Sequence, residues 1–188
     1  MHQGDARSLP FADQTIDAVV TSPPYWTMYD YCDVHRLSYL AFDWPGQSDQ
    51  LIGRKYGIER DGIGFTPPRY MSRWYYDEFH GENTTNGRAL REYFVRMRKH
   101  LEEIRRVIRP RGAIAYAVAN SFRSGARFRL ATALAQLIRE VGFDEIAIAS
   151  RMGSHRRILP AGRDWQTGRF SGRDSTGKIT EVIIFARG

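Results

Sequence analysis

Ser22-Pro23-Pro24-Tyr25 is the stretch of this chain with the clearest chemical content. Two consecutive prolines hold the backbone extended and remove two amide donors, which leaves the carbonyls of Ser22 and Pro23 without a helical or sheet partner. Fixed acceptors followed by an aromatic ring suit a planar amino-bearing group, whose N–H bonds the oxygens take and whose face the ring covers. The same four residues also read as a plain turn, and nothing inside the motif separates the two. Just beyond it, Tyr31 and His35 are placed to line the same mouth, although an isolated histidine is as readily a structural hydrogen-bonding group. The cluster Arg69-Tyr70-Met71-Ser72-Arg73-Trp74-Tyr75-Tyr76 interleaves cations with rings, as a surface for unstacked bases does, or as a small packed subdomain does. Between Arg151 and Lys178 lie seven cations, two aspartates and five glycines, a composition that suits phosphate contact or a solvated hairpin.

These residues need a scaffold, and the flanking periodicity supplies one. Thr15 to Ser22 is a β-branched, apolar run stopped by the prolines, which predicts a parallel strand buried on both faces. Leu90, Phe94, Met97, Leu101, Ile104 and Ile108 recur at three and four residues, an amphipathic helix that Arg109-Pro110-Arg111-Gly112 should terminate. Ala113 to Asn120 predicts a second strand, Ala126 to Val141 a second helix, Glu145 to Ser150 a third strand and Glu181 to Ala186 a fourth. Strands alternating with helices predict an α/β domain with a mainly parallel sheet. The last two strands share no helix, so they should form an antiparallel hairpin at one edge. Residues 26–87 lack clear periodicity and read as a long insertion within a single domain of 1–188, a candidate for target recognition.

Composition narrows the class. The chain has 188 residues, a net charge of +7, 42% hydrophobic and 13% aromatic residues, enough apolar material for a folded core. Of its 28 cations only Lys55, Lys99 and Lys178 are lysine, and arginine forks match phosphate and base edges well. A coding bias toward arginine accounts for the same numbers. Cys32 is alone, which excludes a disulfide framework or cysteine zinc cluster within the chain, and no metal is expected. No apolar run approaches a membrane span and Met1-His2-Gln3-Gly4-Asp5 opens no secretory segment, so a cytoplasmic location away from membranes is expected.

Thr21-Ser22-Pro23-Pro24-Tyr25-Trp26, after Ile16-Asp17-Ala18-Val19-Val20, resembles the catalytic motif of the amino-methyltransferases that act on DNA: Asp, Asn or Ser, then Pro-Pro, then an aromatic. Gly4-Asp5-Ala6-Arg7-Ser8-Leu9-Pro10-Phe11 is similar to the family segment whose aspartate contacts the cofactor's adenine. Ile108-Arg109-Pro110-Arg111-Gly112 is similar to its helix-to-strand turn, and the stretches from Arg156 to Pro160, from Asp164 to Phe170 and from Glu181 to Phe185 to its C-terminal hairpin.

The resemblance implies a partial Rossmann-like methyltransferase fold and methyl transfer from S-adenosylmethionine to an exocyclic nitrogen of a base flipped out of double-stranded DNA. Ser22, Pro23, Pro24 and Tyr25 would be catalytic, and Asp5 and Ala6 would bind cofactor. Trp26, Tyr31, His35, Arg73, Arg156, Arg157, Arg163 and Arg169 would touch nucleic acid. Serine at the first position is associated with cytosine N4 more than adenine N6. RNA or protein-amide nitrogens are alternative substrates, and a nucleic-acid-binding remnant without turnover is the alternative from another class. The family's glycine-rich cofactor turn, Phe-x-Gly-x-Gly, is missing. The chain therefore reads as a fragment, as half of a split enzyme needing a complementing N-terminal piece, or as a permuted type.

Overall fold

The computed structural model describes residues 4–26, 36–42, 66–67, 69–73, 75, 77, 80–123, 126–152 and 180–188. In chain order the elements are β1 (Ile16–Thr21), α1 (Arg36–Ala41), α2 (Arg69–Arg73), a 3-10 turn (Gly81–Asn83), α3 (Thr85–Val107), β2 (Ile108–Ala119), β3 (Ser121–Arg123), β4 (Ala126–Phe128), α4 (Leu130–Glu140), β5 (Glu145–Met152) and β6 (Thr180–Arg187). The main sheet has the order β1-β2-β6-β5, and β3 pairs with β4 in a separate two-stranded sheet.

The sheet departs from the expected one in an instructive way. β1 and β2 are parallel, whereas β6 lies antiparallel to both β2 and β5. Three strands thus share a direction, yet only one of three neighbouring pairs is parallel. The two C-terminal strands do pair antiparallel, but β6 is interior and β5 takes the edge. β1 is also a sheet edge among the described strands, and it is not buried on both faces: Val20 is 83% exposed. The row Val20–Ala115–Phe185–Ala147 runs across this open face, while Ile114, Tyr116 and Val118 of β2 and Val182, Ile184 and Ala186 of β6 join the core on the other.

α3 forms as its spacing requires, with Leu90, Phe94, Met97, Leu101 and Ile104 all buried. Thr84 caps it, its hydroxyl accepting from the Gly87 amide at 3.0 Å. It ends at Val107, and Arg109-Pro110-Arg111-Gly112 is not a turn outside the sheet but a bulge within β2. Ile16 pairs with Ile108 and Ala18 with Ala113, so these four residues stand opposite Asp17 alone. Arg111 has φ 65°, and a Cβ at Gly112 would lie 2.6 Å from Ile108 Cγ1 and 3.0 Å from the Asp17 carbonyl oxygen, which only glycine tolerates. α4 begins at Leu130 rather than Ala126, because Ala126–Phe128 pairs with β3. Both long helices pack on the buried face of the sheet, and this fixes where the loops after β1 and β2 emerge.

Candidate active site

β1 ends at Thr21, and the next residue lies beside β2 because the two strands are parallel. Ser22 Oγ donates to the Ala117 carbonyl at 3.0 Å, and the Tyr25 hydroxyl lies 3.0 Å from the same oxygen of Ser22. A carbonyl only accepts, so Ser22's single proton is committed to Ala117 and Tyr25 is the donor to Ser22. Ser22 Oγ is thereby fixed as an acceptor, on an exposed residue outside the carboxyl end of a strand, where open α/β sheets place their ligands. Pro23 is buried and Pro24 half-buried. The Pro24 carbonyl accepts from the hydroxyl of Tyr93 on α3 at 2.9 Å. Among the described residues no hydrogen bond takes the Pro23 carbonyl.

Trp26 requires a correction. It is 2% exposed and meets Phe128 edge-on with ring centroids 5.3 Å apart, so it belongs to the core and presents no surface to nucleic acid. Its place after the prolines pins the turn to the body of the protein.

Asp5 sits in a short turn closed by the Ser8 amide on the Asp5 carbonyl at 3.0 Å. Arg7 grips its carboxylate from one side, with Nε 3.0 Å from Oδ1 and a terminal nitrogen 2.7 Å from Oδ2, and its backbone amide adds a bond to Oδ1 at 2.9 Å. This Arg7 hydrogen bonding holds the Asp5 carboxyl below the usual carboxylate range. The Ala6 amide has no hydrogen bond among the described residues, whereas the Ala6 carbonyl accepts from His100 Nδ1 at 2.9 Å.

His100 is buried on α3, and its Nε2 lies 2.7 Å from the hydroxyl of Tyr116 on β2. The Ala6 carbonyl only accepts, so Nδ1 carries the proton and Nε2 receives the Tyr116 hydroxyl. Burial pushes the His100 pKa down and the Tyr116 pKa up, which keeps both neutral. One turn further along α3, Glu103 accepts from the Leu9 amide at 2.7 Å. Arg106 bonds Glu103 at 2.6 Å, the Phe11 carbonyl at 3.0 Å and the Leu9 carbonyl at 3.2 Å. The Arg106 fork holds the Glu103 carboxyl below its ordinary range.

The structure therefore brings Ser22 and Tyr25 together and seats Asp5 and Ala6 on the same helix that holds Pro24. Arg73 is exposed at the end of α2, with Asp77 at 3.9 Å. Tyr31, His35, Arg156, Arg157, Arg163 and Arg169 lie outside the described residues. Tyr93, His100, Tyr116, Glu103 and Arg106 do not stand out in the sequence. The available signal is positional: Tyr93 and His100 interrupt the inward stripe of an amphipathic helix with polar groups, which must then find partners. Among the described residues no helix is long and apolar enough to cross a membrane, and no group of three or more His, Cys, Asp or Glu is arranged to hold a metal ion.

No protein-family model and no curated protein matches the chain. Among solved structures it is similar to TTHA0409 from Thermus thermophilus, provisionally identified as a DNA modification methylase. The form of that protein complexed with S-adenosyl-L-methionine is 18% identical with a TM-score of 0.49, over 98% of this chain and 53% of that one. Its selenomethionine derivative is 16% identical with a TM-score of 0.44, over 98% and 50%. The chain thus spans about half the length of the structures it matches. At TM-scores below 0.5 the likeness assigns no reaction to this chain.

Proposed function

We propose that this chain carries the amine-binding part of an S-adenosylmethionine-dependent N-methyltransferase acting on an exocyclic amino group of a flipped DNA base, cytosine N4 ahead of adenine N6. The observation that supports it most is the Ser22 hydroxyl, whose proton is spent on the Ala117 carbonyl so that Oγ is left as an acceptor beside Tyr25, on an exposed residue just past the end of β1. An aromatic amine is a poor nucleophile because its lone pair is delocalised into the ring. Accepting its two N–H bonds at Ser22 Oγ and at the Pro23 carbonyl favours a pyramidal nitrogen, frees that lone pair and fixes its direction. The cofactor supplies a methyl group on a sulfonium, an electrophile that needs no metal. Held at Ser22 Oγ and the Pro23 carbonyl, the nitrogen would take the methyl from a bound cofactor's sulfonium, the carbon–sulfur bond breaking, and would release its extra proton to water. Tyr25 covers the flipped base, exchanging its bond to Ser22 for the stack.

Asp5 and Ala6 would hold the adenine end of the cofactor. A carboxylate acceptor next to the Ala6 backbone donor complements the amine and ring nitrogen on one edge of adenine, provided that Arg7 yields part of its grip on Asp5. We further propose double-stranded DNA and a complementing polypeptide with the glycine-rich loop as partners. Residues 26–87 would help choose the target. Tyr31, His35, Arg73, Arg156, Arg157, Arg163 and Arg169 would be the nucleic-acid contacts. The test is transfer of labelled methyl to DNA and RNA duplexes, with the complementing piece present. Incorporation into DNA that Ser22→Ala or Tyr25→Ala abolishes supports the reading. Preference for RNA would reassign the substrate, and incorporation that survives Pro23→Ala combined with Tyr25→Ala would overturn the assigned roles.

A further inference from the structure

α3 touches the two candidate site segments through two side chains of the same kind of function. Tyr93 donates to the carbonyl of Pro24, and His100 donates to the carbonyl of Ala6. Both are buried, at 3% and 7% exposure, so neither bond competes with bulk water. They are seven residues apart, two helical turns, which sets them about 10 Å apart along one face of a helix that cannot be stretched. His100 is itself oriented by Tyr116, whose strand neighbour Ala117 receives the Ser22 proton. The proline turn and the Asp5 turn are therefore referred to one helix, and the same stretch of β2 ties that helix back to Ser22.

We propose that Tyr93 and His100 are positioning residues, and that the two-turn interval between them on α3 sets the distance between the amine-binding turn and the Asp5–Ala6 turn. The inference rests on the proposed function only in naming what the second turn holds. Neither residue touches a substrate. Each acts on a backbone carbonyl, so its loss displaces one segment and leaves the other in place. A generalised packing role would disturb both together.

The test uses the full chain labelled with 13C at backbone carbonyls, with Tyr93→Phe, His100→Leu and His100→Asn variants. Asparagine keeps an N–H donor close to the position of Nδ1, so it serves as the conservative rescue and as the fallback if leucine prevents folding. Tyr93→Phe should move the Pro24 carbonyl signal upfield and leave Ala6 in place. His100→Leu should do the reverse, and His100→Asn should restore most of the Ala6 signal. Binding of S-adenosylmethionine, measured calorimetrically on the same samples with the complementing polypeptide added, should weaken about tenfold in His100→Leu, the worth of one buried hydrogen bond, and recover in His100→Asn. Carbonyl signals that move together in every variant overturn the proposal, and so does an unmoved pair. Separate movement with no cofactor binding by the unsubstituted chain, even with the complementing polypeptide present, overturns the cofactor reading of Asp5 and Ala6 and leaves the positioning role standing.

Discussion

The proline turn and the Asp5 turn hang from one helix, yet they are held by different physics. At residues 22–26 covalent geometry does most of the fixing: two pyrrolidine rings set φ, Trp26 is sunk into the core, and the bonds from Tyr93 to the Pro24 carbonyl and from Ser22 to the Ala117 carbonyl complete the job. At residues 4–9 no proline lies inside the turn, and the backbone is held from outside by His100 on the Ala6 carbonyl, Glu103 on the Leu9 amide and Arg106 on the Leu9 carbonyl. One segment is stiff in its own right; the other is stiff only as long as α3 stays neutral where it is buried and charged where it is wet. The difference teaches that pH acts on the second segment, while packing substitutions act on the first.

The largest way to break this contrast is Trp26→Ala. Removing a buried indole should cost about 3–5 kcal/mol in urea unfolding. If stability were unchanged and only nucleic-acid binding fell, Trp26 would be a surface residue after all. Tyr116→Phe should cost about 1–3 kcal/mol by leaving the buried His100 Nε2 without its donor. Its effect should register at Ala6 and not at Pro24, which amide and carbonyl shifts would report. Acidification sharpens the comparison further. His100 titrates below its ordinary 6.5 in the folded protein, so the unfolded chain takes a proton that the folded one refuses as pH falls from about 7 to about 5. Stability is therefore complete above 6.5 and declines below it, and the depressed Asp5 and Glu103 carboxyls extend the decline below about 4.5. A urea midpoint that falls over this range in the unsubstituted chain, and falls less in His100→Asn, is the expected result; a flat profile would contradict the buried neutral imidazole. The smallest effect belongs to Pro24→Ala, about 0.4–1 kcal/mol from the freer unfolded chain, with the Tyr93 bond retained.

The same contrast explains what can be read from sequence. Ser22-Pro23-Pro24-Tyr25 is legible because its constraint is written in adjacent residues, and α3 because Leu90, Phe94, Met97, Leu101 and Ile104 declare one face. The supports of the Asp5 turn are not legible, since His100 reaches Ala6 across a sequence separation of 94 residues. Trp26 misleads because a ring after two prolines fits a surface stack or a core equally well, and its partner Phe128 is remote in sequence. Val19-Val20 misleads in the opposite sense: an apolar run implies two buried faces, whereas Val20 is open. The interior place of β6 depends on strand order, about which local patterning says little. The bulge at Arg109–Gly112 is half visible. Its proline and glycine announce a break in the helix, but not that the break lies inside a strand.

The Ser22–Ala117 bond joins residues 95 apart in the chain, and β1 has no described strand partner other than β2. Closing so long a loop carries an entropic cost that only later contacts repay, so helices such as α3 and α4 should form early and the β1–β2 junction late. The order of events in time then favours caution. The acceptor at Ser22 should come into being only once the core beneath it is complete.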